Sequence, residues 1–211
     1  MQQFIKPADI EKQSFAIIQR ELCNRTFPPG TETIIYRVIH ASADFEYADN
    51  LVFSKNAVQR GLDALQSGAT IITDTNMTLA GINQKALQSL GGQVICFMSD
   101  ETVAQEARNR GVTRAVVSME RAANLEGALI FAIGNAPTAL LRLQELIQEK
   151  KVTPSLVIGV PVGFVNVIES KESFLTKTTP YIIAKGRKGG STIAAAIINA
   201  LLYQCYQREG F

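Results

Sequence analysis

The sequence predicts a three-layer α/β/α fold around a five-stranded parallel sheet, and three observations carry that expectation. From Ala69 onward, short and continuously apolar runs alternate with stretches of helical periodicity. The runs lack the in–out alternation of a half-exposed sheet, so both sheet faces are expected to be covered. Connections between successive runs are long enough for a helix, which parallel neighbours require.

The five predicted strands are Ala69–Thr73, Gln93–Met98, Ala128–Ile133, Ser155–Val160 and Tyr181–Ala184. Helices are predicted near Thr78–Ser89, Thr102–Arg110, Thr138–Glu149 and Val165–Phe174, with Ser191–Tyr206 after the last strand. The segment before residue 69 reads as helical. Pro7–Cys23 carries Phe15, Ile17, Ile18 and Leu22, and Phe27-Pro28-Pro29-Gly30 then forces a break. Thr31 is placed to N-cap a helix reaching about Ala43, and Asn56–Gln66 forms a third helix stopped at Ser67-Gly68. No Gly-, Pro- or Ser-rich linker intervenes, so residues 1–211 are read as one domain, with 1–68 a helical layer on a 69–211 core.

Composition narrows the function classes. Hydrophobic residues make up 46% and charged residues 19%, which is a globular balance. The net charge of +2 and the absence of long basic runs argue against a nucleic-acid partner. The amino end lacks a signal-peptide layout, and the apolar stretch Leu156–Ile168 is too short and interrupted to span a bilayer. Cys23, Cys96 and Cys205 are odd in number and scattered, which suggests neither a disulfide frame nor a metal cluster. A cytoplasmic location without membrane contact is expected.

Ligands of such sheets sit beyond the carboxyl ends of the strands. The candidate loops are therefore Thr73–Asn76, Ser99-Asp100, Gly134–Thr138, Pro161–Gly163 and Lys185–Ser191. The last joins strand to helix through Gly186-Arg187-Lys188-Gly189-Gly190-Ser191, where glycines allow close approach and a helix start offers N–H groups to an anion. Asn135 and Thr138 open the preceding helix around Pro137 in the same manner. Neither a Walker loop nor a Gly-x-Gly-x-x-Gly fingerprint occurs. His40 is the only histidine. On its helix Ile34, Ile35, Val38 and Ile39 form an apolar arc, while Tyr36, Arg37, His40 and Asp44 fall opposite. That position fits a solvated side chain as well as a general acid, and spacing does not choose between them.

At these same places the chain resembles the precorrin-8X methylmutase family, which also acts as cobalt-precorrin-8 methylmutase in corrin biosynthesis. The matching pieces are Ser14–Ile18, the His40 helix, Gly134–Leu140, Pro161–Val165, Glu169-Ser170-Lys171 and Gly186–Ser191. The resemblance implies a flavodoxin-like homodimer with its site near the subunit interface. It implies an isomerase that moves a methyl group from C11 to C12 of a tetrapyrrole, giving hydrogenobyrinate or cobyrinate, without cofactor or metal. His40 is then the acid, and Ser14 and Arg114 contact the substrate; Asn135, Thr138, Arg187, Gly189, Gly190 and Ser191 of the loops read above complete the candidate binding set. A corrinoid carrier without turnover and a phosphate- or nucleotide-dependent α/β enzyme are the competing classes. The presence of His40 and Arg114 speaks against the first, and the missing glycine fingerprints against the second.

Overall fold

The computed structural model describes residues 7–23, 25–175 and 178–206. Six strands form one mixed sheet: β1 (Leu51–Phe53), β2 (Thr70–Thr73), β3 (Gln93–Ile95), β4 (Leu129–Ile133), β5 (Leu156–Gly159) and β6 (Tyr181–Ala184). Their order is β1-β6-β5-β4-β2-β3. β2 to β6 are mutually parallel, as predicted. The expected all-parallel sheet of five strands is corrected by β1, which pairs antiparallel to β6. β1 lies in the segment read as wholly helical, and its brevity hides any period.

Without β1 the spatial order is the 2-1-3-4-5 winding of an open α/β sheet, which reverses direction between β2 and β4. Side chains alternate strictly between two cores. Ile71, Ile130, Ala132, Leu156, Ile158 and Ile182 join one, while Ile72, Leu129, Phe131, Ile133, Val157 and Ile183 join the other. Two apolar faces explain the unbroken hydrophobic runs.

The first face is covered by α2 (Glu32–Ser42), α4 (Ala57–Gln66) and α11 (Ser191–Cys205), with α1 (Pro7–Glu21) packed on α2. The short α3 (Tyr47–Asn50) leads into β1, and α5 (Asn76–Gly81) and α6 (Gln84–Ser89) also lie on this side. The second face carries α8 (Arg114–Ala122), α9 (Pro137–Gln148) and α10 (Val167–Glu172), with α7 (Glu101–Arg110) packed on α8.

Three further local expectations are corrected. The single helix expected over Thr78–Ser89 is two. Asn199 of α11 clips the break, accepting the Asn83 N–H and donating to the Gly81 carbonyl, both at 2.8 Å. α8 lies in a stretch given no element. Its signal was Thr113, whose hydroxyl accepts the Val116 N–H at 3.3 Å. Thr31 does precede α2, but its hydroxyl donates to the Pro28 carbonyl at 2.7 Å and accepts no helix N–H.

Candidate functional site

The carboxyl edge of the sheet is organised by Asp74 at the end of β2. Its side chain is fully buried, and its two oxygens accept the backbone N–H groups of Gly134, Asn135 and Ala136 at 2.8, 2.8 and 2.6 Å. Burial pushes this carboxyl up, and the three N–H donors pull against the shift. The contact bridges β2 and β4, which is the reversal point where such sheets bind ligands. It also alters the expectation for Asn135. The N–H groups of this helix approach are taken by Asp74, so Asn135 offers the rim only its exposed side chain.

Hydroxyl contacts continue along the rim in both directions. Thr75, next to Asp74, meets the Ser191 hydroxyl at 2.8 Å and the Thr78 hydroxyl at 2.9 Å. On the other side Thr138 meets Thr113 at 3.1 Å, and the adjacent Arg114 reaches the Met98 carbonyl at 3.4 Å. Arg114, Thr138, Asn135 and Ser191 thus occupy one line of contacts across the edge.

His40 faces a cavity of about 240 Å³ at this edge. Ser191, Thr192 and Asn199 of α11 line it together with Met77 and Arg37. The imidazole is exposed and makes no hydrogen bond to the described residues. Its ring packs edge-on against Phe15 of α1, with centroids 5.9 Å apart. The apolar arc behaves as read: Ile34, Ile35, Val38 and Ile39 are buried. Asp44 does not continue the helical face, because Ala43 ends α2 in the left-handed conformation at φ 53°. Asp44 instead accepts the Lys188 ammonium at 2.6 Å, tying the end of the His40 helix to the loop before α11. That bond holds the Asp44 carboxyl below its ordinary value.

Ser14 lies apart from this cavity. Its hydroxyl donates to the Ile10 carbonyl at 2.9 Å, one residue before the Phe15 that meets His40. Arg187 points its guanidinium over the Phe164 ring at 5.5 Å. The two glycines behave differently from one another. A Cβ on Gly189 would stand 2.1 Å from the Val160 carbonyl oxygen, so the close approach there is to the protein's own backbone. Gly190 has φ +128° and open space where a side chain would be, with its N–H donated to the Val160 carbonyl at 2.9 Å.

Sequence reasoning did not single out Met77, and it gave Phe164 and Lys171, which lie in matching pieces, no role at the site. Met77 and Phe164, with Val165, are 72%, 83% and 77% exposed, unusual values for large apolar side chains, and all three lie just past strand ends. Lys171 is fully buried on α10. Among the described residues no three His, Cys, Asp or Glu side chains gather as a metal site, and no helix is long and apolar enough to cross a membrane.

The model of the precorrin-8X methylmutase family matches residues 9–204 of this sequence. The chain belongs to that family. It is 46% identical over 205 residues to the cobalt-precorrin-8 methylmutase of Salmonella typhimurium, covering 94% of this chain and 95% of that one. The enzyme of the same name from Priestia megaterium is 43% identical over 197 residues, covering 93% and 88%. The precorrin-8X methylmutase of Pseudomonas aeruginosa is 40% identical over 195 residues, covering 91% and 93%. Among solved structures, the precorrin-8x methyl mutase from Thermus thermophilus superposes with a TM-score of 0.85 at 39% identity, covering 93% of this chain and 97% of that chain. The family match runs from within α1 to within α11, so His40 of α2, Arg114 at the start of α8 and Ser191 at the start of α11 all fall within it.

Proposed function

We propose that this family member is an isomerase of corrin biosynthesis that moves a methyl group from C11 to C12 of precorrin-8X or its cobalt form, with His40 as the acid. The observation that carries this reading is the placement of His40. It is the only imidazole in the chain, its ring nitrogens bond to none of the described residues, and it faces a rim cavity beside the start of α11.

The chemistry is an internal exchange. The bond from C11 to the methyl carbon breaks and the bond from C12 forms, so substrate and product are isomers. A proton lent to the macrocycle to draw electron density along the ring must be returned by the end of the cycle. An imidazole suits both halves, because free imidazole titrates at roughly 6.5 and can give and regain a proton near neutrality. A positioned acid accounts for about 10²–10⁴-fold, so holding the ring still must supply much of the remainder.

Size indicates how the ring sits. Pockets that enclose drug-sized ligands run to roughly 300–1,000 Å³, and the His40 cavity is about 240 Å³. It therefore takes an edge of a tetrapyrrole and leaves the remaining face over the open rim. Exposed Met77, Phe164 and Val165 offer apolar cover there, and Arg114, Asn135, Thr138, Arg187 and Ser191 offer polar or cationic partners to peripheral carboxylates, whereas the Gly190 N–H is spent on the Val160 carbonyl. A second copy of the chain completing the enclosure accounts for apolar side chains left this bare. The working form in this reading is a cytoplasmic homodimer in which residues 1–211 act as one unit.

Incubating the purified protein with precorrin-8 and, separately, with its cobalt form tests the reading. Conversion of either one to hydrogenobyrinate or cobyrinate supports it. Tight product binding without turnover of either substrate would leave a carrier.

A further inference from the structure

Two charged side chains are buried among the described residues. Asp74 is accounted for by the rim. Lys171, 1% exposed, is not. Its Nζ donates to the carbonyls of Gly186 and Lys188, at 2.8 Å each. The carbonyl between them, that of Arg187, accepts the Gly163 N–H at 3.2 Å. Three successive carbonyls of the loop are thus drawn inward. The N–H groups of Gly186, Arg187, Lys188 and Gly189 find no acceptor among the described residues. A turn with its carbonyls engaged and its amides free presents positive potential to an anion.

We propose that Lys171 is a positioning residue, which holds the Gly186–Gly189 turn so that its free N–H groups and Arg187 receive a peripheral carboxylate of the substrate. The inference rests on the methylmutase reading and extends it to a residue that cannot itself reach the ligand. A lysine is suited to the task because one ammonium spans two carbonyls, which a buried hydroxyl does less well. Charge assistance strengthens both bonds.

A consequence separates this role from simple packing. Burial pushes the Lys171 ammonium down to about 8. Among the described residues no charged neighbour contributes: Glu169 and Glu172 on its own helix and Lys185, Arg187 and Lys188 on the loop are all exposed. A carboxylate settling on the turn favours the charged form, so binding raises the Lys171 value and takes up a proton. By linkage, affinity is full below about 8 and falls as pH rises through the bound-state value, by tenfold for each unit the ligand adds.

The test is calorimetric titration of hydrogenobyrinate into the purified protein between about pH 7 and pH 9.5, in two buffers of different ionisation heat. Substrate carboxylates stay ionised throughout that range. Affinity is expected to fall about tenfold across it, with fractional proton uptake near the Lys171 value. Lys171→Met should bind about tenfold more weakly at the low end and lose the proton uptake, and Lys171→Arg should regain affinity without it. Wild-type binding that is flat in pH with no uptake overturns the proposal even if neither variant folds. Absence of binding at every pH overturns the methylmutase reading together with it.

Discussion

Replacing His40 with alanine separates catalysis from architecture, because the structure assigns the side chain little work in folding. The imidazole is exposed, makes no hydrogen bond to the described residues, and touches the protein chiefly through the edge of Phe15. An aromatic pair of that kind contributes about 0.5–1.5 kcal/mol, and alanine is the better helix former, which offsets part of the loss. His40→Ala should therefore unfold within about 1 kcal/mol of the wild type in a urea titration. Binding should also survive, since the groups proposed to hold the carboxylates lie on loops and helix starts to which the His40 side chain makes no hydrogen bond. Chemistry should not survive. Losing a positioned acid costs at least about a hundredfold in rate, or about 2.7 kcal/mol of barrier. The assay is single-turnover conversion of precorrin-8 with excess enzyme, so that slow product release cannot mask the step. A rate collapsed by a hundredfold with product affinity intact is the expected result. A variant that turns over near the wild-type rate refutes the acid role, and one that fails to fold refutes the packing argument.

Three other outcomes follow from particular contacts. Arg114→Ala should weaken hydrogenobyrinate binding by about tenfold or more, the worth of a charge-assisted bond, while leaving the single-turnover rate at saturation nearly unchanged; unchanged affinity with a collapsed rate would give Arg114 a different role. Gly189→Ala drives a methyl group to 2.1 Å from the Val160 carbonyl oxygen, a backbone atom that cannot swing away. It should cost about 1–3 kcal/mol in urea unfolding, and an unchanged midpoint would mean that the loop is not seated against Val160 as described. Sedimentation at micromolar concentration should show a species of twice 23.0 kDa, and a lone 23.0 kDa species would remove the second copy from the site.

The five parallel strands were legible because burial on both faces writes itself as unbroken apolar runs, and Phe131 between Ile130 and Ala132 shows the rule at work. β1 was not. Three residues on an edge, half exposed past Leu51, carry no period to read. α8 was missed because it follows α7 after a three-residue turn, where one alternating pattern of strand and helix leaves no room for a second consecutive helix. The loops of the rim were legible by position, as strand ends with glycine and proline. Their internal wiring was not, since it depends on partners far apart in sequence. Asp74 reaches 60 residues along the chain to Gly134, and Lys188 reaches 144 residues back to Asp44.

That wiring bears on how the site works, because its charged groups fall into two kinds. Buried Asp74 and Lys171 spend their hydrogen bonds on the protein's own backbone, the first collecting three N–H groups and the second two carbonyls. Arg114 and Arg187 are exposed, their guanidiniums bound by no carboxylate among the described residues. A residue of the first kind cannot meet the ligand, yet leaving its partners unbonded in the interior would cost about 1–3 kcal/mol for each buried group. Such a residue fixes the direction in which amides and carbonyls face. The two loops are wired with opposite polarity. Asp74 withdraws donors from the start of α9, and Lys171 withdraws acceptors from the turn before α11. On the proposed methylmutase reading, this polarity favours an anionic ligand on the α11 side of the rim, which is the side where His40 stands.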